Sequence, residues 1–233
     1  MSLIYEERSS VSPYIDTIMR GQTTGSGATI RPAASSWHMV FVRHTSGALP
    51  LIVGPWTSAG IASWEAGAEI LWVRFKLGVF MPHQSSRDFL NQEVRLPNVS
   101  SKSFWLKDSA WHYPDYENVE TFINRLVREE LLVYDPVVRA ALQGQEPDIS
   151  SRTVRHRFLR ATGLTRSHIR QVERAQQAAG LLQQGVSIPD TVYELDYFDQ
   201  PHLTRALKQF VGQTPKQWVE CPPTETIQLG VPQ

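Results

Sequence analysis

Seven arginines, Arg152, Arg155, Arg157, Arg160, Arg166, Arg170 and Arg174, fall within Ser150–Arg174 against a single acid, Glu173. Guanidinium groups at this density can hold phosphate oxygens through charge-assisted, often bidentate hydrogen bonds. A merely solvated helix face alternates charge sign to gain i,i+4 support, and this block does not. A second set, Gln200, Thr204, Arg205 and Lys208, lies further along the chain. Gln and Arg can pair with adenine and guanine edges in a major groove, whereas a lone arginine can equally clamp a phosphate without reading sequence. Cys221 is the sole cysteine, which excludes an intramolecular disulfide, a multi-cysteine zinc site and a CxxC redox pair.

Helices must hold these residues, and the sequence repeats the helix that would do so. Arg152–Ile169 (RTVRHRFLRATGLTRSHI) lies over Pro201–Trp218 (PHLTRALKQFVGQTPKQW) at an offset of 49. Val154 falls on Leu203, Phe158 on Leu207, Gly163 on Gly212, Thr165 on Thr214 and Ile169 on Trp218. Apolar positions four apart anchor one helix face, and the glycine suits the left-handed position that ends it. The threonine two residues on caps the next helix, with Pro215 at its first position. Before the second copy, Ser187 and Asp190 form a capping-box pattern, and Ile188, Val192 and Leu195 give a short helix its apolar face. Asp196-Tyr197-Phe198 then make a tight turn and Asp199 caps the next helix. Two short helices joined by such a turn make a helix-turn-helix. Between the copies, Ser167–Gln184 is one long helix spanning about 27 Å, so two exposed faces could lie roughly one duplex turn apart, about 34 Å.

The segments Gly185–Trp218 (GVSIPDTVYELDYFDQPHLTRALKQFVGQTPKQW) and Arg152–Thr165 closely resemble the AraC/XylS family of bacterial transcription regulators. The resemblance implies two helix-turn-helix units joined by a long helix and bound to double-stranded DNA. It places the first base-reading helix at Arg152, Arg155 and His156, and the second at Gln200, Pro201, Thr204 and Arg205. Two departures stand out. Asp196 occupies a turn position where the family has glycine; aspartate tolerates left-handed geometry better than most residues. Shifting Ile188, Val192 and Leu195 back by 49 lands on Arg139, Gln143 and Glu146, none of them apolar. The supporting helix of the first unit is therefore shortened or absent, with Pro136–Leu142 as the candidate to replace it.

The N-terminal part reads differently. Residues 20–36 (RGQTTGSGATIRPAASS) are Gly-, Ser- and Thr-rich and read as a loop. From Trp37 to about Trp111 the texture is β: Trp37, Met39 and Phe41 alternate with neighbours, Leu49–Val53 is a short apolar run, and Glu69–Lys76 alternates again. Segments such as WVRFKLGVFMPH and FWLKDSAWHYPD resemble, loosely, the cupin-like sensor regions of such regulators. After Pro114, the spacing of Val119, Phe122, Ile123, Leu126, Val127 and Leu131 predicts an amphipathic helix over Glu117–Val133, serving as a dimer seam or packed on its own β domain. Asp135-Pro136 starts another helix through Leu142.

The expected fold is α+β: a cupin-like β-barrel or sandwich sensor (1–113), a connecting amphipathic helix (114–134), an all-α DNA-binding domain (135–220) and a disordered tail (221–233). The 233 residues carry 23 basic and 23 acidic side chains, so the charge is local rather than global. No apolar stretch approaches the length of a membrane span and residues 1–25 lack the order of a signal peptide, which points to a cytoplasmic protein. His38, His44, His83 and His112 lack the spacing of a cupin metal site, so no metal and no cofactor is expected. Trp37, Phe41, Trp64, Trp72, Trp105 and Trp111 read as core or as the lining of an effector pocket. The function expected is sequence-specific DNA binding by a transcription regulator, not catalysis. A small-molecule effector, RNA polymerase and a second copy of the chain are the further partners the resemblance allows. The competing class is a cupin-type metalloenzyme whose helical tail has lost DNA binding.

Overall fold

The computed structural model describes residues 3–145 and 148–220. The tail 221–233, expected to be disordered, and Cys221 within it lie outside the described residues. In chain order the strands are β1 (Leu3–Ser9), β2 (Ile15–Thr23), β3 (Gly27–Arg31), β4 (His38–His44), β5 (Gly47–Val53), β6 (Gly60–Trp64) and β7 (Glu69–Phe75). They continue as β8 (Val79–Phe80), β9 (Glu93–Arg95), β10 (Asn98–Ser100), β11 (Ser103–Leu106), β12 (Ser109–His112) and β13 (Val133–Tyr134). The helices are α1 (Val119–Arg128), α2 (Pro136–Leu142), α3 (Ser151–Thr162), α4 (Arg166–Gln183), α5 (Ile188–Glu194), α6 (Gln200–Phe210) and α7 (Pro215–Glu220). A 3-10 turn covers Ser86–Phe89. No helix among the described residues is long and apolar enough to cross a membrane.

The chain forms two compact units that interleave along the sequence. One takes Met1–Ser26, Ser36–Pro55 and Glu65–Thr165; the other takes Gly27–Ser35, Trp56–Trp64 and the chain from Arg166.

The first unit is built on a six-stranded sheet in the order β1-β2-β7-β4-β5-β9, with antiparallel neighbours throughout. The alternation read in β7 holds, because Leu71, Val73 and Phe75 are buried while Ile70, Trp72 and Arg74 are half-buried on the other face. In β4 the alternation fails at its start: His38 and Val40 are buried along with Met39 and Phe41. Phe41, Phe104, Trp111 and Phe122 meet in one aromatic cluster, and Trp37 stacks on Phe75 at 4.1 Å while donating its indole N–H to the Val79 carbonyl at 2.7 Å. Helix α1 directs Val119, Phe122, Ile123 and Leu126 into this core, so its apolar face is used within its own unit. It stops at Arg128, short of the expected Val133. Glu130 takes a left-handed φ of 55°, and the turn carries Leu131 and Leu132 into the core without further helix.

Helices α2 and α3 close this unit. Asp135 caps α2 by accepting from the Val137 N–H, and Pro136 sits in the first turn, as the sequence indicates. Gly163 ends α3 at φ 71°, in the conformation its repeat position requires. A Cβ there would lie 3.0 Å from the Ser86 carbonyl oxygen, so the glycine also permits a close backbone approach.

The second unit holds α4 to α7. Val172, Ala175, Ala178, Ala179 and Leu182 of α4 pack with Leu203, Leu207 and Phe210 of α6 and with Trp218 of α7, whose indole N–H donates to the Ala179 carbonyl at 2.9 Å. Small alanines let these helices approach closely. A β-ribbon of β3 and β6, paired from Gly27↔Trp64 to Arg31↔Gly60, belongs to the same unit. The loop expected over 20–36 therefore contains the end of β2 and all of β3. Its composition suggests a loop, but pairing with distant partners satisfies the backbone groups that local composition leaves open. Ala33 is fully buried in the helical core; its N–H donates to the Phe210 carbonyl at 2.7 Å and its carbonyl accepts from Gln176 Nε2 at 3.0 Å. The Ala59 N–H donates to the Gln209 carbonyl at 2.8 Å. The ribbon thus supplies partners to carbonyls in the last turn of α6, which no helix can satisfy internally.

Candidate nucleic-acid interface

Helix α5 begins at Ser187, whose hydroxyl accepts from the Asp190 N–H at 3.2 Å and donates to the Asp190 carboxylate. Ile188, Val192 and Leu195 rest half-buried against the core of the second unit. The chain then turns at Asp196, which adopts φ 52°, the left-handed geometry a glycine would take without strain. Tyr197 is buried, under the Arg174 guanidinium at 4.4 Å, and its own N–H donates to the Val192 carbonyl at 3.0 Å. Asp199 caps α6 by accepting from the His202 N–H at 2.7 Å. Every local device that aims α6 comes from a residue type that the sequence places at the right spacing.

Helix α6 buries Leu203, Leu207 and Phe210 and exposes Gln200, Pro201, Arg205 and Lys208 on the other side. Thr204 is half-exposed, and its hydroxyl donates back to the Gln200 carbonyl at 2.9 Å, so that proton is already engaged. Gln200, Arg205 and Lys208 form no ion pair among the described residues. One face of α6 therefore carries an amide and two cations, held by a fully packed opposite face.

In the first unit, Ser150 caps α3 by accepting from the Thr153 N–H at 3.2 Å. Arg152, Arg155 and His156 are exposed. The rest of the arginine block divides by use. Arg157 makes two hydrogen bonds to Asp135, both at 2.8 Å, and these hold its guanidinium pKa above the ordinary value. Arg160 lies over the Phe80 ring at 5.3 Å and Arg174 over Tyr197. Sequence reasoning did not single out these engaged arginines; the partner aspartate, Asp135, is 22 residues away from Arg157. Helix α2 buries Val137, Val138 and Ala141 and packs on α3, the position proposed for a replacement supporting helix.

The histidines considered for a metal site stand apart. His38 is buried and its Nδ1 accepts from the Trp72 indole N–H; burial, then the Arg74 charge, push its pKa down to about 3. His44 bonds the Ala66 carbonyl at 3.0 Å, while His83 and His112 are exposed. Among the described residues no three His, Cys, Asp or Glu side chains gather as a metal site would need. Of the aromatics considered for a pocket, Trp37, Phe41 and Trp111 are core, and Phe41 alone borders a cleft of about 500 Å³ in the first unit. That cleft is lined by Ile4, Phe41 and Leu71 at its apolar side and by Arg20, Arg43 and Glu69 among its charged groups.

Residues 145–220 match the model of a family described as a helix-turn-helix domain. Comparison with curated proteins and with solved structures gave no match.

Proposed function

We propose that the chain is a DNA-binding transcription regulator of the AraC/XylS type, a reading supported by the helix-turn-helix family match over residues 145–220, and that it reads duplex DNA with α3 and α6, each laid in a major groove. The carrying observation is the polar face of α6: Gln200, Pro201, Arg205 and Lys208 are exposed along a helix whose other side is fully packed. The end of a recognition helix that meets base edges is its N-terminal end, where Gln200 and Pro201 stand. Gln200 would pair with an adenine edge and Arg205 with a guanine edge. On α3, Arg152, Arg155 and His156 would read the neighbouring groove, and a footprint covering a single groove would limit reading to α6. Arg166, Arg170 and Lys208 would add phosphate contacts that set position without sequence.

We infer further that the sheet-rich unit is a cupin-like sensor. Its cleft has a volume suited to a small molecule, in the range of about 300–1,000 Å³ typical of such sites. Binding energy and a change of conformation or oligomer state, not bond chemistry, would carry the response. Duplexes selected from a random library by the full chain, titrated by filter binding at increasing salt, test the reading. Affinity should fall steeply, in proportion to the phosphates neutralised. Arg205→Ala should weaken the selected duplex by about 5- to 150-fold and relax one base position. The absence of a salt slope on every duplex would overturn DNA binding; an equal loss on all sequences would make Arg205 a backbone contact.

A further inference from the structure

Phe198 is 90% exposed, one residue before the cap of α6. Its backbone is fixed on both sides. Tyr197 is buried before it, Asp199 caps the helix after it, and the Phe198 N–H donates to His202 Nδ1 at 3.4 Å in the first turn of α6. His202 in turn stands edge-on to the Tyr197 ring at 5.2 Å. The ring of Phe198 is therefore presented outward from a fixed point beside Gln200 and Pro201, at the end of α6 proposed to meet the bases. The major groove offers one apolar group there, the C5-methyl of thymine, whose contact with Phe, Ala or Thr methyl groups discriminates thymine from other bases.

We propose that Phe198 is a specificity-determining residue of the DNA interface, packing its ring on a thymine C5-methyl next to the bases met by Gln200 and Arg205. The inference rests on the reading of α6 as the groove-entering helix. Tyr193, 88% exposed, is the natural control: it is an equally exposed aromatic, but it stands on α5 rather than next to the cap of α6.

The test is a methyl scan. Each thymine of a duplex selected by the wild-type chain is replaced in turn by deoxyuridine, which removes the methyl and keeps base pairing. At one thymine in the half-site assigned to α6, wild-type affinity should drop about 3- to 5-fold, the worth of one buried methyl group. Phe198→Ala should bind the thymine and uracil forms alike at that position, Phe198→Leu should keep part of the difference, and Tyr193→Ala should keep all of it. Random-library selection with Phe198→Ala should lose the thymine preference there. Thermal unfolding of Phe198→Ala at the wild-type midpoint confirms that the exposed ring is not needed for folding. If every thymine-to-uracil change is silent, or if Phe198→Ala keeps the wild-type discrimination, the inference is overturned while the reading of α6 stands. If no duplex is selected, or Arg205→Ala and Gln200→Ala bind as wild type, the reading of α6 falls and this inference with it.

Discussion

Gly212 and Gly185 offer a paired test of the β3–β6 ribbon as part of the second unit. Both glycines have positive φ, 90° and 89°, so an alanine at either position incurs the same kind of backbone strain, about 1–2 kcal/mol. Their surroundings differ. A Cβ at Gly185 meets nothing within 4 Å, whereas one at Gly212 would lie 2.6 Å from Ile30 Cγ2 on β3 and 3.2 Å from the Ala59 side chain. Overpacking of that kind costs about a further 1–3 kcal/mol when neighbours must shift. Gly185→Ala should therefore lower stability by about 1–2 kcal/mol and Gly212→Ala by about 2–5 kcal/mol. Urea unfolding of the full chain, followed by hydrogen exchange of the α6 amides, reads both. Ile30→Ala removes the contacting methyl and should recover most of the excess in Gly212→Ala while leaving Gly185→Ala unchanged, a coupling that a double-mutant cycle isolates. Equal losses in the two glycine variants, or no recovery with Ile30→Ala, would refute the placement of the ribbon against α6.

Asp135→Ala removes both the cap of α2 and the partner of Arg157. Loss of the cap costs about 1 kcal/mol, and the solvent-accessible ion pair adds less than about 1 kcal/mol, so thermal unfolding should show a decrease of roughly 1–2 kcal/mol. Arg157→Ala should leave the salt slope of DNA binding unchanged because its guanidinium is engaged with Asp135, whereas Arg170→Ala, which removes a proposed phosphate contact, should reduce that slope by about one. His38 supplies a pH test. Its native pKa of about 3 lies below the ordinary 6.5, so between these values the unfolded chain binds a proton that the native chain refuses. Stability from this group is thus fully present above about pH 6.5 and falls by about 1.4 kcal/mol per pH unit below it. Urea unfolding at pH 7 and pH 5 should differ by about 2 kcal/mol more in wild type than in His38→Gln, and equal pH dependence would remove His38 as the cause.

Features of the helical half were legible where a residue type performs its structural task within a few positions of itself. Asp135, Ser187 and Asp199 accept from backbone N–H groups two or three residues ahead, and Gly163 and Gly212 take the positive φ that ends α3 and α6. Such devices act within one helical turn, so spacing reveals them. The ribbon was not legible for the opposite reason. Gly27–Arg31 finds its strand partner in Gly60–Trp64, 29 to 37 residues later, and Ala33 finds its acceptor at Phe210. Nothing in GATIR announces a partner at that distance, and glycine and threonine nearby read as a loop. The end of α1 was missed similarly: Leu131 continues the apolar spacing, yet it is buried after a turn at Glu130 rather than on a helix.

The candidate site divides along the same line, and the division bears on how the arginine block should be weighed. Composition counts seven arginines as one basic surface. In the structure Arg157 is held by Asp135, Arg160 lies on Phe80 and Arg174 lies on Tyr197, so these positions help build the fold that presents the others. Charge density counts all seven alike, although three of them are engaged within the fold. Phe198 is the converse case. An exposed aromatic residue in a turn carries no charge pattern and no periodicity, so it attracted no functional reading from the sequence. Its candidacy comes from the cap on one side and the buried tyrosine on the other, which fix where the ring must stand. On the proposed reading, the charged groups would supply most of the affinity and its salt dependence, while amide, guanidinium and one phenyl ring at the head of α6 would supply the discrimination between sequences.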